Sequence, residues 1–341
     1  PVSGTLEVRT APERAGFLTV ASSVETPARG GGALGFALPI LTRGEGARLG
    51  AQHSLGGLSA SPTKRTNVLL VETTGVEPTR VRVTLRGPSG AALGSSLLDV
   101  PRYGLRQLNS APESLGGGDS VEGASLDVEV VEGGGAVAAI ATVIDRANDD
   151  ASALASRPVA SPAVATAGVQ ALSFLGTTIR SVVPSLVGGF PTFPGSGRPE
   201  TFATRLGFVS LSAAPATFVL SYRDLESGET VTRTVDVPGR STVEYEDAVV
   251  ELFGLAAGSR SQGPLFVDST PNGLLFCEVY SATPEGQLGD ALPVVSVPGT
   301  ALTGQDSVTP LFADGLEQST APGTGTRSNL ILNEVNGREA R

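Results

Sequence analysis

The sequence predicts an all-β protein built of tandem β-sandwiches. Three observations carry that expectation. Glycine and proline number 44 and 24 of 341 residues, more punctuation than helices tolerate and suited to short strands joined by turns. Short runs of branched apolar residues are broken by turn signals roughly every ten residues, the spacing of a sandwich. One stretch, Thr63-Lys-Arg-Thr-Asn-Val-Leu-Leu-Val71, returns as Thr201-Phe-Ala-Thr-Arg-Leu-Gly-Phe-Val209 and again as Thr324-Gly-Thr-Arg-Ser-Asn-Leu-Ile-Leu332. Each time a polar entry leads into a branched apolar run, as when a buried strand opens. Three openings imply repeats of one unit.

Taken in order, the chain divides into two complete repeats flanked by partial ones. Residues 1–41 read as the C-terminal part of a sandwich: Gly4–Thr10 alternates apolar and polar, Phe17–Val24 is a second strand, and Phe36–Leu41 a third. The same triplet recurs as Ser125–Val131, Val137–Ile144 and Ser156–Val159, and as Leu265–Asp268, Leu274–Tyr280 and Ala291–Val295. Complete repeats are therefore expected at 42–158 and 182–296, each with about seven strands.

Their middles also match. Arg80–Leu85, Ser96–Pro101 and Leu105–Leu108 correspond to Thr217–Tyr222, Val231–Pro238 and Thr242–Tyr245, and only Pro112–Gly116 and Asp247–Gly254 suggest a helical turn. Taking Arg65, Arg205 and Arg327 as anchors, the distance to Val143 is 78 residues and that to Val279 is 74. The connections between repeats vary more, as insertions in linkers do. An Ala/Ser/Pro-rich linker is placed at 159–181 and the N-terminal part of a further repeat at 297–341. With Pro1 first and no Met, the chain reads as a processed product or a piece of something longer.

Composition narrows the function. A net charge of −10 argues against nucleic acid or an anionic membrane as partner, since both need a basic face, and the basic residues are almost all Arg, with Lys64 the one lysine. No apolar run of about 20 residues predicts membrane insertion. The one cysteine, Cys277, lies in a strand-like run and reads as a buried inert thiol. The one histidine, His53, falls in a Gly-rich segment read as an exposed loop between repeats, with no nucleophile elbow near it. Gly44–Gly50 lacks the strand-to-helix setting of a dinucleotide site. Four Tyr and no Trp give little for stacking on sugars. No catalytic residue and no cofactor is predicted, so an enzyme is not expected. The one candidate for an ion is calcium at Asp145, Asp149 and Asp150, where carboxylates gather in a loop after a strand.

Arg65–Val71 and Arg327–Asn333, the closures Val100-Pro101 and Val237-Pro238, and the ends Leu38-Pro39 and Leu292-Pro293 resemble the tandem β-sandwich (Ig-like) repeat domains of large secreted bacterial cell-surface and filament proteins. In such proteins the opening carries a Trp that Lys64, Thr204 and Thr326 replace here. The resemblance implies an extracellular or cell-surface, non-catalytic protein. The expected function is a building unit of a filament, tube or surface layer, assembled by strand pairing or exchange between the partial end repeats. Copies of the chain, or adjacent repeats of it, are the expected partners. Leu6, Val8, Phe17, Val20, Leu330, Ile331 and Leu332 are the expected assembly contacts. The alternative is an adhesive module binding carbohydrate or calcium through loops at one end of a sandwich.

Overall fold

A computed structural model describes residues 5–9, 11, 22–27, 33–147, 149–159, 179–189, 201–283, 286–292 and 294–296. They form an all-β structure of two sandwiches with the same order of elements. A hairpin of β1 (Ser23–Pro27) and β2 (Ala33–Ala37) comes first. The first sandwich follows: β3 (Gln52–Ala60), β4 (Lys64–Glu72), β5 (Thr79–Arg86), β6 (Ala92–Val100), β7 (Leu105–Leu108), α1 (Ala111–Ser114), β8 (Val121–Glu132), β9 (Val137–Asp145), β10 (Ala151–Ala155) and β11 (Arg157–Pro158). The second repeats it: β12 (Ile179–Gly188), β13 (Phe202–Ser210), β14 (Ala216–Arg223), β15 (Thr230–Val237), β16 (Thr242–Tyr245), α2 (Ala248–Glu251), β17 (Ser261–Ser269), β18 (Gly273–Thr283), β19 (Gly286–Leu292) and β20 (Val295–Ser296).

Each sandwich pairs a four-stranded antiparallel sheet with a five-stranded one. The sheets run β10-β9-β4-β7 and β11-β3-β8-β5-β6 in the first, and β16-β13-β18-β19 and β15-β14-β17-β12-β20 in the second. Alternation of apolar and polar residues, as in β5, turns one face of each sheet inward. In the first sandwich Leu55, Val83 and Leu126 meet Val68, Leu70 and Ala139 from the facing sheet. The second core is bulkier: Phe208 and Phe218 pack edge to face with centroids 5.0 Å apart, and Tyr222 is fully buried with its hydroxyl 2.6 Å from Ser261 Oγ.

A bulge and a threonine fix how the two sheets join. β3 and β12 each slip register against their partner, between Leu55 and Leu58 and between Val183 and Leu186. Just past each bulge a buried hydroxyl from the facing sheet grips the backbone. Thr66 Oγ1 donates to Ser59 O at 2.7 Å and accepts from Ser59 N at 3.0 Å. Thr204 Oγ1 donates to Val187 O at 2.9 Å and accepts from Val187 N at 2.8 Å. These brackets set the true register of the repeats. Thr66 corresponds to Thr204, so Arg205 stands where the first sandwich has Asn67, and Arg65 and Arg205 are not equivalent anchors.

Other expectations also shift. Among the described residues each sandwich has nine strands rather than about seven. The strands missed at the front, β3 and β12, lie in stretches whose glycines, proline and serines read as connection. β12 opens at Ile179, inside the segment read as linker. His53 is consequently not in an exposed loop but in β3, buried between β8 and β11, with Nδ1 lacking a hydrogen-bond partner. Burial holds its pKa down at about 4, against a small opposing pull from Glu45. Residues 5–9 form no strand. They are tied down by side chains instead, Thr5 Oγ1 donating to Tyr103 O at 2.8 Å and Arg9 Nη2 to Tyr103 Oη at 3.2 Å. Cys277 is buried as expected, and burial pushes its thiol pKa up.

Two measurements test these points. Thr204→Val removes the bracket and strands the Val187 backbone, so urea unfolding should show a loss of about 2 kcal/mol, and Thr66→Val should cost a similar amount through Ser59. His53 takes up a proton near pH 6.5 when unfolded but only near 4 when folded. Its contribution is therefore intact above pH 6.5 and is lost as pH falls to 4, by about 3 kcal/mol. Denaturation midpoints measured across that range should show this slope in the native chain and lack it in His53→Gln.

Candidate functional site

The chemistry in this fold concentrates where the outer face of sheet β16-β13-β18-β19 meets the end of the first sandwich. β13 is buried on both faces from Thr204 to Ser210. Its inward residues, Leu206 and Phe208, belong to the core. Its outward ones, Arg205, Gly207 and Val209, lie against the first sandwich. Opposite Gly207 on β18 stands Phe276, whose ring covers that glycine so closely that any Cβ would overlap it. The other side of the ring faces Gly57 in the β3 bulge, where a Cβ would come within 3.0 Å. Gly57 has φ of +76°, a conformation that glycine adopts without strain. Val209, Leu211 and Phe276 complete a small apolar cluster with Leu154 and Val159 of the first sandwich.

Beside this cluster is a group of charges. Arg205, with its side chain 8% exposed, sends Nη2 to Glu246 Oε2 and Nη1 to Glu278 Oε2, both at 2.6 Å. Its guanidinium also lies 5.2 Å from the Tyr280 ring centroid. Burial works against its charge, but Glu278 and Glu246 outweigh this and hold its pKa above the ordinary value. Glu244, in the same group, is pushed up to about 7, first by burial and then by Glu246 and Glu122, against the pull of Arg205 and Lys64. Lys64 and Glu122 come from the first sandwich. Burial lowers the Lys64 pKa. A cavity of about 20 Å³ lies between these side chains, room for about one water and far below the size of a small-molecule site.

Backbone contacts flank the charges. Thr242 N donates to Pro88 O at 2.9 Å, and Gly289 N donates to Asp150 Oδ2 at 2.7 Å. Arg240 Nη1 lies 3.4 Å from Asp127 Oδ2, which also holds Arg86 Nε at 2.7 Å. The face at the same position on the first sandwich is uncharged. Asn67, Thr142, Gln107 and Asn109 stand where the second sandwich has Arg205, Glu278, Glu244 and Glu246.

Of the residues singled out from sequence, Asp145 and Asp150 border the charge group, lining a small cavity with Lys64 and Glu278, but the three aspartates each serve a different contact. Asp145 Oδ1 accepts from Ala147 N at 2.7 Å, Asp149 is 3.9 Å from Arg65 Nη2 in a left-handed turn, and Asp150 serves the Gly289 contact. No group of three acidic, histidine or cysteine side chains among the described residues is placed to hold a metal. Leu6 and Val8 are 89% and 48% exposed. Phe17, Val20, Leu330, Ile331 and Leu332 lie outside the described residues. In the sequence Arg205 reads as a repeat anchor and Lys64 as a motif position, and the two are not connected into a junction, though one signal pointed there. Arg205 and Glu278 interrupt strands that otherwise read as buried.

Removing the hub of this cluster tests its weight. Arg205→Ala leaves Glu246 and Glu278 without their shared cation and should cost about 3 kcal/mol, the lower end for a broken buried pair because Glu246 is half exposed. In a urea titration followed by circular dichroism the second sandwich should unfold earlier, while the first keeps its midpoint.

No helix among the described residues is long and apolar enough to cross a membrane. No family model matches the chain, and no curated protein matches it. Solved structures give only loose all-β likenesses. An anti-sigma factor domain-containing protein is 8% identical, with a TM-score of 0.19, over 71% of this chain and 82% of its own. A structure titled BspA_C_WT is also 8% identical, with a TM-score of 0.19, over 81% and 99%. A lectin of Pleurotus ostreatus is 7% identical, with a TM-score of 0.13, over 74% and 82%. Likenesses this low carry no functional argument.

Proposed function

We propose that this chain is a non-catalytic building unit of an extracellular filament, tube or surface layer, in which sandwiches stack end to end and partial repeats join one copy to the next. The observation that carries this reading is a contact made twice. β10, the second strand of the β9–β10 hairpin, lies against β19 of the following sandwich. β2, the second strand of the β1–β2 hairpin, lies against β10 in the same way. This repeated contact supports reading the β1–β2 hairpin as the end of a preceding unit stacked in the same manner.

Two further features agree with this reading. The β1–β2 hairpin pairs with no third strand among the described residues, and a lone hairpin is marginal in water. Leu6 and Val8, held beside Tyr103, are exposed apolar side chains. Copies of the same chain are the proposed partners. No cofactor enters the proposal.

Electron microscopy of the purified chain over a range of concentrations tests it. Regular polymers are expected, and deleting Pro1–Thr10 should abolish them while leaving both sandwiches folded by circular dichroism. Monodisperse monomers at every concentration would overturn the proposal, and polymers that survive the deletion would overturn the role of Leu6 and Val8.

A further inference from the structure

The charge cluster is a liability that the fold itself does not require, because the first sandwich does without it. Its corresponding face carries Gln107, Asn109, Asn67 and Thr142. We propose that the contact between the two sandwiches is a pH-responsive hinge, closed while Glu244 holds a proton and loosened when Glu244 ionises. The inference concerns contacts within one chain and stands whether or not copies polymerise.

The geometry places Glu244 under the roof of the first sandwich, where a Cβ on Gly123 would come within 3.2 Å of its Oε1. The groups that face it come from every element packed around it: Arg205 on β13, Glu246 just beyond β16, Glu278 on β18, Lys64 on β4 and Glu122 on β8. With all of them ionised, two cations face four carboxylates around this cavity, of which Glu122 and Glu246 reach solvent. Arg205 already serves Glu246 and Glu278. Ionised Glu244 therefore adds negative charge to a site that has an excess of it. Opening the junction returns the group to water and relieves both the desolvation and the repulsion. The contacts that remain are the Phe276 ring against Gly57, the Thr242–Pro88 and Gly289–Asp150 hydrogen bonds and the Arg240–Asp127 pair.

The direction follows from linkage. Burial first, then Glu246 and Glu122, raise the closed-state pKa of Glu244 to about 7, whereas in the open state it returns toward the ordinary carboxyl value. The closed form binds the proton more tightly, so closure is fully favoured at low pH and is lost as pH rises through 7. Between pH 5.5 and 8.5 the ratio of closed to open should fall by roughly 30-fold.

The test uses the full chain with nitroxide labels at S95C and T232C, exposed positions on β6 and β15; the native Cys277 is buried. Pulsed dipolar spectroscopy should give a narrow inter-label distance at pH 5.5 and a broadened one at 8.5. Glu244→Gln, which installs the side chain of Gln107, should stay narrow at both. Glu122→Gln, acting from the other sandwich, should reduce the broadening at pH 8.5. A native distribution that does not change with pH would overturn the proposal. So would a pH response that persists in Glu244→Gln or is undiminished in Glu122→Gln.

Discussion

A threonine hydroxyl reaching from one sheet to the backbone of the other is the contact on which each sandwich depends. Bulges in β3 and β12 disturb the ladders beside β8 and β17, and unpaired backbone groups inside a core are costly. Thr66 and Thr204 supply both donor and acceptor at that point. The bracket therefore satisfies the backbone of one residue beside each bulge, Ser59 and Val187, and ties the five-stranded sheet to the four-stranded one. The bulge it permits has a second effect in the first sandwich. Gly56 and Gly57 turn a strand surface into a slot, and Phe276 of the second sandwich fills it. One local irregularity thus closes a sandwich and provides the seat for its neighbour.

The junction is built from two kinds of contact with different demands. The apolar part, Phe276 with Val209, Leu211 and Leu154, is stabilised by removal of surface from water and is indifferent to pH. The charged part is balanced between desolvation and attraction, as buried ion groups generally are. Arg205 is satisfied by two carboxylates, whereas Glu244 meets both its attraction and the repulsion of its neighbours. A polar centre bordered by an apolar patch makes the relative placement of the sandwiches specific without making it rigid.

Much of this architecture was legible in the sequence. The matching middles of the two repeats revealed β5 and β14, Pro101 and Pro238 marked where β6 and β15 end, and both helical turns stood out against their surroundings, whereas the alternation of Gly4–Thr10 pointed to a strand that residues 5–9 do not form. What escaped had physical reasons. β3 contains Gly56-Gly57 and β12 contains Pro184-Ser185, residues that mark breaks in most strands but here sit in bulges. His53 followed from that error, since polarity suggested water while its strand is covered on both sides. The arginines appeared to be the repeat's anchor because they recur by eye. Side-chain hydrogen bonds show that the threonine beside them is the fixed element, and spacing cannot distinguish a residue that grips a backbone from one that merely recurs. The charged junction was not visible because Lys64, Glu122, Arg205, Glu244, Glu246 and Glu278 come from five strands and one turn of two separate repeats.

The difference between the two outer faces has a consequence for how the chain reaches its native state. Tandem units of one topology risk trading strands while both are still forming. If β13 entered the first sandwich in place of β4, Arg205 would lie opposite Thr142, with neither Glu246 nor Glu278 at hand. In the reverse exchange Asn67 would leave those two carboxylates without their cation. Neither hybrid keeps the contacts of Arg205 with Glu246 and Glu278, so the cluster distinguishes two sibling units that hydrophobic patterning alone would leave interchangeable.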